Sequence, residues 1–155
     1  MNRLKCIWIG AMKKGIWRDA AELYWKRLSG LYASDSVCVK DGPSHLAPGP
    51  RKEAEAKAIL AKTTPRDRVI VLDERGKSRT SAQLARDLTG WLEDPAKQPC
   101  FILGGAYGLA DQVRDRADDL LAFGPMTLPH ELARVVLFEQ LYRAATILKN
   151  IPYHH

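Results

Sequence analysis

Long apolar runs are absent from this 155-residue sequence. None approaches the roughly 20 residues that a membrane-spanning helix requires. The apolar stretch at residues 6–12 is followed by Lys13 and Lys14, not by the small residues of a signal-peptide cleavage site. Cysteine is also scarce, and Cys6, Cys38 and Cys100 form no C-x-x-C pair for zinc or thiol exchange. These absences predict a soluble, cytoplasmic protein whose thiols are free and buried.

The two commonest nucleotide-binding fingerprints are missing as well. The chain has neither the G-x-G-x-x-G pattern of dinucleotide-binding folds nor the G-K-[ST] of a P-loop. This disfavours a nucleotide-dependent oxidoreductase and a P-loop enzyme. No metal site and no hydrolase triad is predicted either, because the histidines lack ligand spacing and a nucleophile motif. These histidines are His45, His130, His154 and His155.

Positive charge is the feature in excess. The 24 lysines and arginines outnumber the 18 acidic residues, which gives a formal net charge of +6. Such a surface favours polyanionic partners through long-range attraction and counterion release. Charge alone leaves open the alternative that the surface is merely soluble.

Apolar strand patterns alternate with amphipathic helix patterns along the whole chain. This alternation predicts one α/β domain over residues 1–155, with a mainly parallel sheet flanked by helices. A capping box at Thr80 and Gln83 opens one helix, which ends before Pro95. A Gly- and Pro-containing loop is predicted at 40–50. Strands are predicted at 4–9, 37–39, 69–72, 101–103 and 126–128, and further helices at 18–29, 52–62 and 131–149.

The last predicted helix is apolar on more than one side. Leu137, Leu141, Ala144 and Leu148 form one stripe, and other apolar residues such as Val136 lie away from it. A helix of this kind must be buried on more than one side. If the sheet covers only one side, a second copy of the chain covers the rest, which predicts a homodimer. The alternative is a central helix wrapped by its own chain.

Three glycine-bearing turns follow predicted strands or precede them. The turn at 104–108 reads Gly-Gly-Ala-Tyr-Gly, and the others lie at 73–77 and 123–125. Glycine allows a ligand to approach the backbone closely, and ligands of open α/β sheets bind where such loops converge at the carboxyl ends of strands. Each turn alone is equally compatible with tight packing or a solvated surface.

Several motifs in one order resemble the RlmH family over nearly the whole chain. They include Leu-Asp-Glu-Arg-Gly-Lys at 72–77, Ile-Leu-Gly-Gly-Ala-Tyr-Gly at 102–108 and Met-Thr-Leu-Pro-His at 126–130. Glu-Gln-Leu-Tyr-Arg-Ala follows at 139–144, Ile-Gly and Tyr-Trp-Lys-Arg-Leu occur near the start, and Pro-Tyr-His stands at 152–154. Four central motifs in matching order make a chance likeness improbable.

The resemblance implies a SPOUT-class methyltransferase with a C-terminal trefoil knot. Such an enzyme acts as a homodimer and uses S-adenosylmethionine as methyl donor. Its substrate is N3 of a pseudouridine in helix 69 of 23S ribosomal RNA, and the natural target is expected within the assembled ribosome. Knots are rare among protein folds, so this expectation comes from the family alone.

The resemblance also implies where the ligands bind. Carried over position by position, the cofactor-binding residues are Leu72, Gly105, Phe123, Gly124, Pro125, Met126, Thr127 and Leu128. No general base is singled out, and the candidates for substrate handling are His130, Arg143, Tyr153 and His154. His155 stands where the family usually has Arg or Lys, so a permanent cation is missing from that position.

A second hypothesis is a non-catalytic ribosome- or RNA-binding module with a vestigial cofactor pocket. Tight binding of S-adenosylmethionine separates the two hypotheses. Retention of a dinucleotide on purification would instead revive the oxidoreductase. The family resemblance favours the methyltransferase.

Overall fold

A computed structural model describes residues 2–155 and shows five strands in one parallel sheet, in the order β2-β1-β4-β3-β5. The strands are β1 (Arg3–Ile9), β2 (Ala33–Val39), β3 (Asp67–Ser78), β4 (Gln98–Leu103) and β5 (Asp119–Ala122). The helices are α1 (Ile16–Ser29), α2 (Pro48–Leu60), α3 (Ser81–Glu93), α4 (Asp111–Arg116) and α5 (His130–Leu148). The predicted α/β fold with a parallel sheet is confirmed. Among the helices of residues 2–155, none is long and apolar enough to cross a membrane.

The sheet is buried on both faces, which explains why its strands read as continuous apolar runs. Leu4 and Phe101 belong to a core shared with α1, α3 and α5 on one face. Ile7 and Ile102 belong to a second core, shared with α2 and α4 on the opposite face. Successive residues of a strand point to opposite faces, so β1 and β4 contribute to both cores.

The capping box at Thr80 is confirmed. The Gln83 amide donates to the Thr80 hydroxyl at 3.1 Å, and the Thr80 amide donates to the Gln83 side chain at 2.8 Å. Together the two bonds satisfy backbone donors that the first turn of α3 leaves unpaired. The helix ends at Glu93, before Pro95, as expected.

The predicted strand at 126–128 is wrong. The fifth strand is β5, and its Leu120 and Leu121 pair with Val71 and Leu72 of β3. Residues 126–128 form a loop between Pro125 and Pro129, and prolines cannot donate ladder hydrogen bonds. The apolar character of this loop has another cause, because it lies against a pocket described below.

The predicted loop at 40–50 ends earlier than expected, because α2 begins at Pro48. Pro48, Gly49 and Pro50 form the first turn of that helix. The amides of a first turn have no partner within the helix, so proline is tolerated there. Proline and glycine were therefore misleading as loop markers at this position.

One of the three cysteines departs from the prediction. Cys6 and Cys100 are buried and free, but Cys38 is exposed, because it lies on β2 at the edge of the sheet. Burial raises the pKa of Cys6 well above its usual value and that of Cys100 to about 12. Cys38 is therefore the accessible thiol of the three.

The helix α5 lies between α1 and α3 on its own face of the sheet. Trp25 of α1 packs on Phe138 with ring centroids 4.9 Å apart, and Ser81 of α3 donates to Gln140 at 2.7 Å. The premise that only the sheet and a second copy could cover this helix is therefore wrong, since α1 and α3 of the same chain also pack against it. The homodimer stays a prediction that needs other support.

Candidate functional site

A cavity of about 740 Å³ opens at the carboxyl edge of the sheet. Three segments line it, at 72–75, at 103–109 and at 121–133. The first lies within β3, and the other two begin at the last residues of β4 and β5. These three strands are neighbours in the sheet. This is the edge at which open α/β sheets bind their ligands.

The first segment is an arch within β3. Leu121 of β5 pairs with both Leu72 and Lys77, so residues 73–76 bulge away from the sheet. A Cβ on Gly76 would lie 2.6 Å from the backbone carbon of Leu120. Only glycine lets the returning end of the arch approach β5 this closely.

The second segment is the glycine turn after β4, which the Gly108 amide closes by donating to the Gly105 carbonyl at 3.1 Å. A Cβ on Gly105 would lie 3.2 Å from Cγ2 of Ile9, so the turn rests directly on the end of β1. The bare backbone of Gly105 faces the cavity. A side chain at this position would have to displace Ile9.

The third segment connects β5 to α5 and carries exposed apolar side chains. Met126 is 81% exposed and Phe123 is 36% exposed. Thr127 is 3.4 Å from Glu74 across the mouth of the cavity. Isolated apolar side chains at the rim of a cavity are candidates for ligand contact.

An arginine in the wall of the cavity joins two of the lining segments. Arg114 donates to Asp73 at 3.1 Å and to the Leu109 carbonyl at 2.8 Å, and it also pairs with Asp111. Hydrogen bonding to Asp111, followed by that to Asp73, raises the pKa of Arg114. This network ties the arch to the glycine turn. Lys52 and Arg75 also line the cavity.

The structure brings most of the expected cofactor residues together. Leu72, Gly105, Phe123, Gly124, Met126, Thr127 and Leu128 line the cavity, whereas Pro125 does not. His130 lines the same cavity, from the first position of α5. The other three candidates for substrate handling are elsewhere. Arg143, Tyr153 and His154 are absent from the lining and form a cluster of their own.

This terminal cluster, defined by Glu139, Arg143, Tyr153 and His154, lies at the other end of α5. The Tyr153 hydroxyl donates to Glu139 at 2.9 Å, and Arg143 donates to the same carboxylate at 2.6 Å. The Arg143 guanidinium covers the Tyr153 ring at 4.7 Å. His154 Nδ1 is 3.2 Å from Arg143 and must accept there, because a guanidinium only donates.

A Schellman motif folds the tail into this cluster. Asn150 adopts a left-handed conformation with φ of 53°, the Ile151 amide donates to the Thr146 carbonyl at 2.9 Å, and the Asn150 amide donates to Ile147. The chain therefore turns back, and the ring of Tyr153 packs edge-on against Tyr142 at 4.9 Å. Burial, followed by hydrogen bonding to Tyr24 and Glu139, raises the pKa of Tyr153. The tail is an ordered element.

Sequence reasoning missed Glu139, although a signal was present. Glu139 precedes Arg143 by one helical turn, the spacing that places opposite charges in contact. The partner that turns this ordinary pair into a cluster, Tyr153, comes from the tail. Only the Schellman turn at Asn150 brings it there.

The parallel sheet and the carboxyl-edge cavity are accompanied by a family match over nearly the whole chain. The family model described as "Predicted SPOUT methyltransferase" matches residues 2–154. The chain therefore belongs to the SPOUT methyltransferases.

Within that class, curated relatives are similar over their full length. "Ribosomal RNA large subunit methyltransferase H" of Maridesulfovibrio salexigens is 46% identical, with 100% of this chain and 99% of the relative covered. The protein of the same name from Lawsonia intracellularis is 49% identical, with 98% and 97% covered. The chain thus belongs with these proteins, in the RlmH family. A crystal structure of ribosomal RNA small subunit methyltransferase E from Neisseria gonorrhoeae with S-adenosyl methionine aligns with a TM-score of 0.47 at 13% identity, covering 94% of this chain and 66% of that one.

Proposed function

We propose that this protein transfers a methyl group from S-adenosylmethionine to N3 of a pseudouridine in helix 69 of 23S ribosomal RNA. The observation that carries the proposal is full-length similarity to relatives named ribosomal RNA large subunit methyltransferase H. The cavity gives the proposal separate support, since seven of the eight expected cofactor residues line that cavity.

The cavity suits S-adenosylmethionine in size and chemistry. Its volume of about 740 Å³ lies within the range of small-molecule sites. Leu72, Leu103 and Leu128 provide apolar walls, and the glycine turn exposes backbone groups that recognise an adenine edge. The Asp73 carboxylate is already paired with Arg114, so it contributes no free charge to the wall.

When bound, S-adenosylmethionine would supply a methyl group on a positively charged sulphur. The bond from N3 to the methyl carbon would form as the carbon–sulphur bond breaks, leaving a neutral thioether. The N3 proton would pass to solvent, since no residue of the chain is singled out as a general base. The chain contributes position. The three segments line one cavity, and His130 lies in the same lining. Holding the acceptor nitrogen in line with the methyl group removes much of the entropic barrier.

Two copies of the chain complete the proposed active site. Arg143 lies thirteen positions after His130 on α5, which places it about 20 Å farther along the axis at roughly 1.5 Å per residue. The terminal cluster is therefore remote from the cavity of its own chain. In the proposed homodimer, the cluster of one copy meets the cavity of the other.

The terminal cluster is built for orienting RNA. The raised pKa of Tyr153 keeps its hydroxyl protonated at neutral pH, and that proton is donated to Glu139, so the oxygen is available to RNA as an acceptor. Arg143 occupies Nδ1 of His154 and leaves the other ring nitrogen toward solvent. This arrangement suits contact with the base or phosphate of the target nucleotide. The trefoil knot, the cytoplasmic location and action on the assembled ribosome are part of the same proposal.

The decisive experiment is mass mapping of ribosomal RNA nucleosides from cells with and without the gene. The proposal expects methylated pseudouridine to disappear from helix 69 in the deletion and to return on complementation. An unchanged content of that nucleoside would refute it. Calorimetric titration with S-adenosylmethionine then distinguishes an enzyme from an RNA-binding module, which would show no tight binding.

A further inference from the structure

Arg134 is a buried cation that the proposed reaction does not use. The side chain lies on α5, one residue after Ala133 in the cavity wall, and is 2% exposed. Burial lowers the pKa of Arg134 to about 10, so it carries its charge at neutral pH. Such burial costs several kcal/mol per ion unless specific contacts offset it.

Those contacts are backbone carbonyls at the end of β1. One terminal nitrogen of Arg134 donates to the Ile9 carbonyl at 3.2 Å and to the Gly10 carbonyl at 3.1 Å. The guanidinium also lies 4.8 Å from the ring centroid of Trp8, which favours a cation. Its Nε has no hydrogen-bond partner among residues 2–155. The side chain thus fixes the position of the end of β1 relative to α5.

The end of β1 is the support of the glycine turn. Ile9 Cγ2 lies 3.2 Å from the position that a Cβ on Gly105 would occupy. Arg134 thus holds the backbone of Ile9, and the Ile9 side chain lies on the side of Gly105 where a Cβ would point, next to the backbone that lines the cavity. An apolar residue would fill the space of Arg134 with a smaller desolvation cost, but it would leave these strand-end carbonyls unheld.

We propose that Arg134 is a positioning residue that holds the end of β1 beneath the glycine turn and thereby sets the affinity of the cavity for S-adenosylmethionine. The inference rests on the proposed function. It assigns the residue no contact with the reacting atoms.

The test compares Arg134→Met and Arg134→Lys with the parent protein and with Arg86→Met, which changes an exposed arginine on α3. We expect Arg134→Met to weaken S-adenosylmethionine binding at least about tenfold, the usual order for losing charged hydrogen bonds. We expect Arg134→Lys to fall between Arg134→Met and the parent, and Arg86→Met to match the parent. In kinetics, KM for the cofactor should rise in Arg134→Met while kcat at saturation stays within about twofold.

Melting temperatures identify a merely structural role. If both Arg134 variants bind the cofactor within twofold of the parent, the inference is overturned, whatever their stability. If both are unfolded at the assay temperature, it is also overturned, because Arg134 then holds the whole fold instead of the turn. A parent protein that fails to bind S-adenosylmethionine refutes the proposed function itself, which distinguishes the two failures.

Discussion

The two ends of α5 are built on opposite principles. At its first residue, the cavity presents the bare backbone of a glycine turn, and the Asp73 carboxylate in its wall is paired with Arg114. At its last turns, the terminal cluster is formed by side chains in an ionic network around Glu139. A backbone surface suits one small ligand of fixed shape, whereas charged side chains suit a phosphate-rich polymer. The proposed function accordingly places the cofactor at one end and RNA at the other.

The largest expected effect comes from blocking the cavity at the first residue of α5. Gly105→Arg should abolish S-adenosylmethionine binding, because any side chain there meets Ile9 or fills the cavity. Calorimetric titration measures the affinity, and circular dichroism checks the fold. Gly90→Arg is the matched control, since a Cβ at Gly90 meets nothing within 4 Å. Unchanged affinity in folded Gly105→Arg would place the cofactor elsewhere.

A smaller effect is expected from removing the tail residues of the terminal cluster. Deleting residues 153–155 should leave cofactor affinity and dimer mass unchanged. The same deletion should slow methyl transfer to ribosomes at least about tenfold, or some 1.4 kcal/mol of transition-state stabilisation. Single-turnover assays with radiolabelled cofactor give the rate. Full activity in the truncated protein would show that the ordered tail has no part in catalysis.

Mixing the two variants tests whether the ends of different copies meet. In a mixed dimer, the truncated copy supplies an intact cavity and the Gly105→Arg copy supplies an intact cluster. Random exchange should restore about a quarter of the parental activity, because half of the dimers regain one of two sites. Light scattering coupled to size exclusion must also show twice the chain mass of 17.4 kDa. A monomer, or no recovery after verified exchange, contradicts a shared site.

The smallest effect is expected for the influence of salt on the cofactor. Between 50 and 200 mM salt, cofactor affinity should change by less than about twofold, since the three basic and two acidic residues of the lining nearly cancel. Affinity for ribosomal particles should fall steeply, by roughly one unit of logarithmic slope per phosphate neutralised. Paired titrations on one preparation measure both. Equal slopes for the two ligands would remove the electrostatic contrast between the ends of α5.

The sheet and the glycine turn could be predicted, because they depend on local patterns. Buried parallel strands read as apolar runs, and Thr80 and Gln83 sit at the spacing of a capping box. The position of β5 could not be predicted in this way. Its Leu120 and Leu121 carry no distinct sequence signal, because their pairing partners lie in β3 on either side of the arch. That arch depends on the close approach of Gly76 to Leu120, which is distant in sequence.

The cofactor residues followed from family motifs, but the separation of His130 from the other substrate candidates did not. Arg143, Tyr153 and His154 come together because Asn150 adopts a left-handed conformation. Asparagine tolerates the left-handed conformation but also occurs in many others, so its presence in the sequence does not predict the turn. The raised pKa of Tyr153 likewise follows from neighbours that the tail reaches by folding back.

The uninterrupted α5 also fixes the distance and the angle between the cavity and the terminal cluster. Inserting a single residue between its two ends would rotate everything downstream by about 100° and advance it by about 1.5 Å. The terminal cluster would then face a different direction from the one that the proposed second copy requires. Surface loops tolerate such insertions, whereas the number of residues between His130 and Arg143 sets the separation on which the proposed shared site depends.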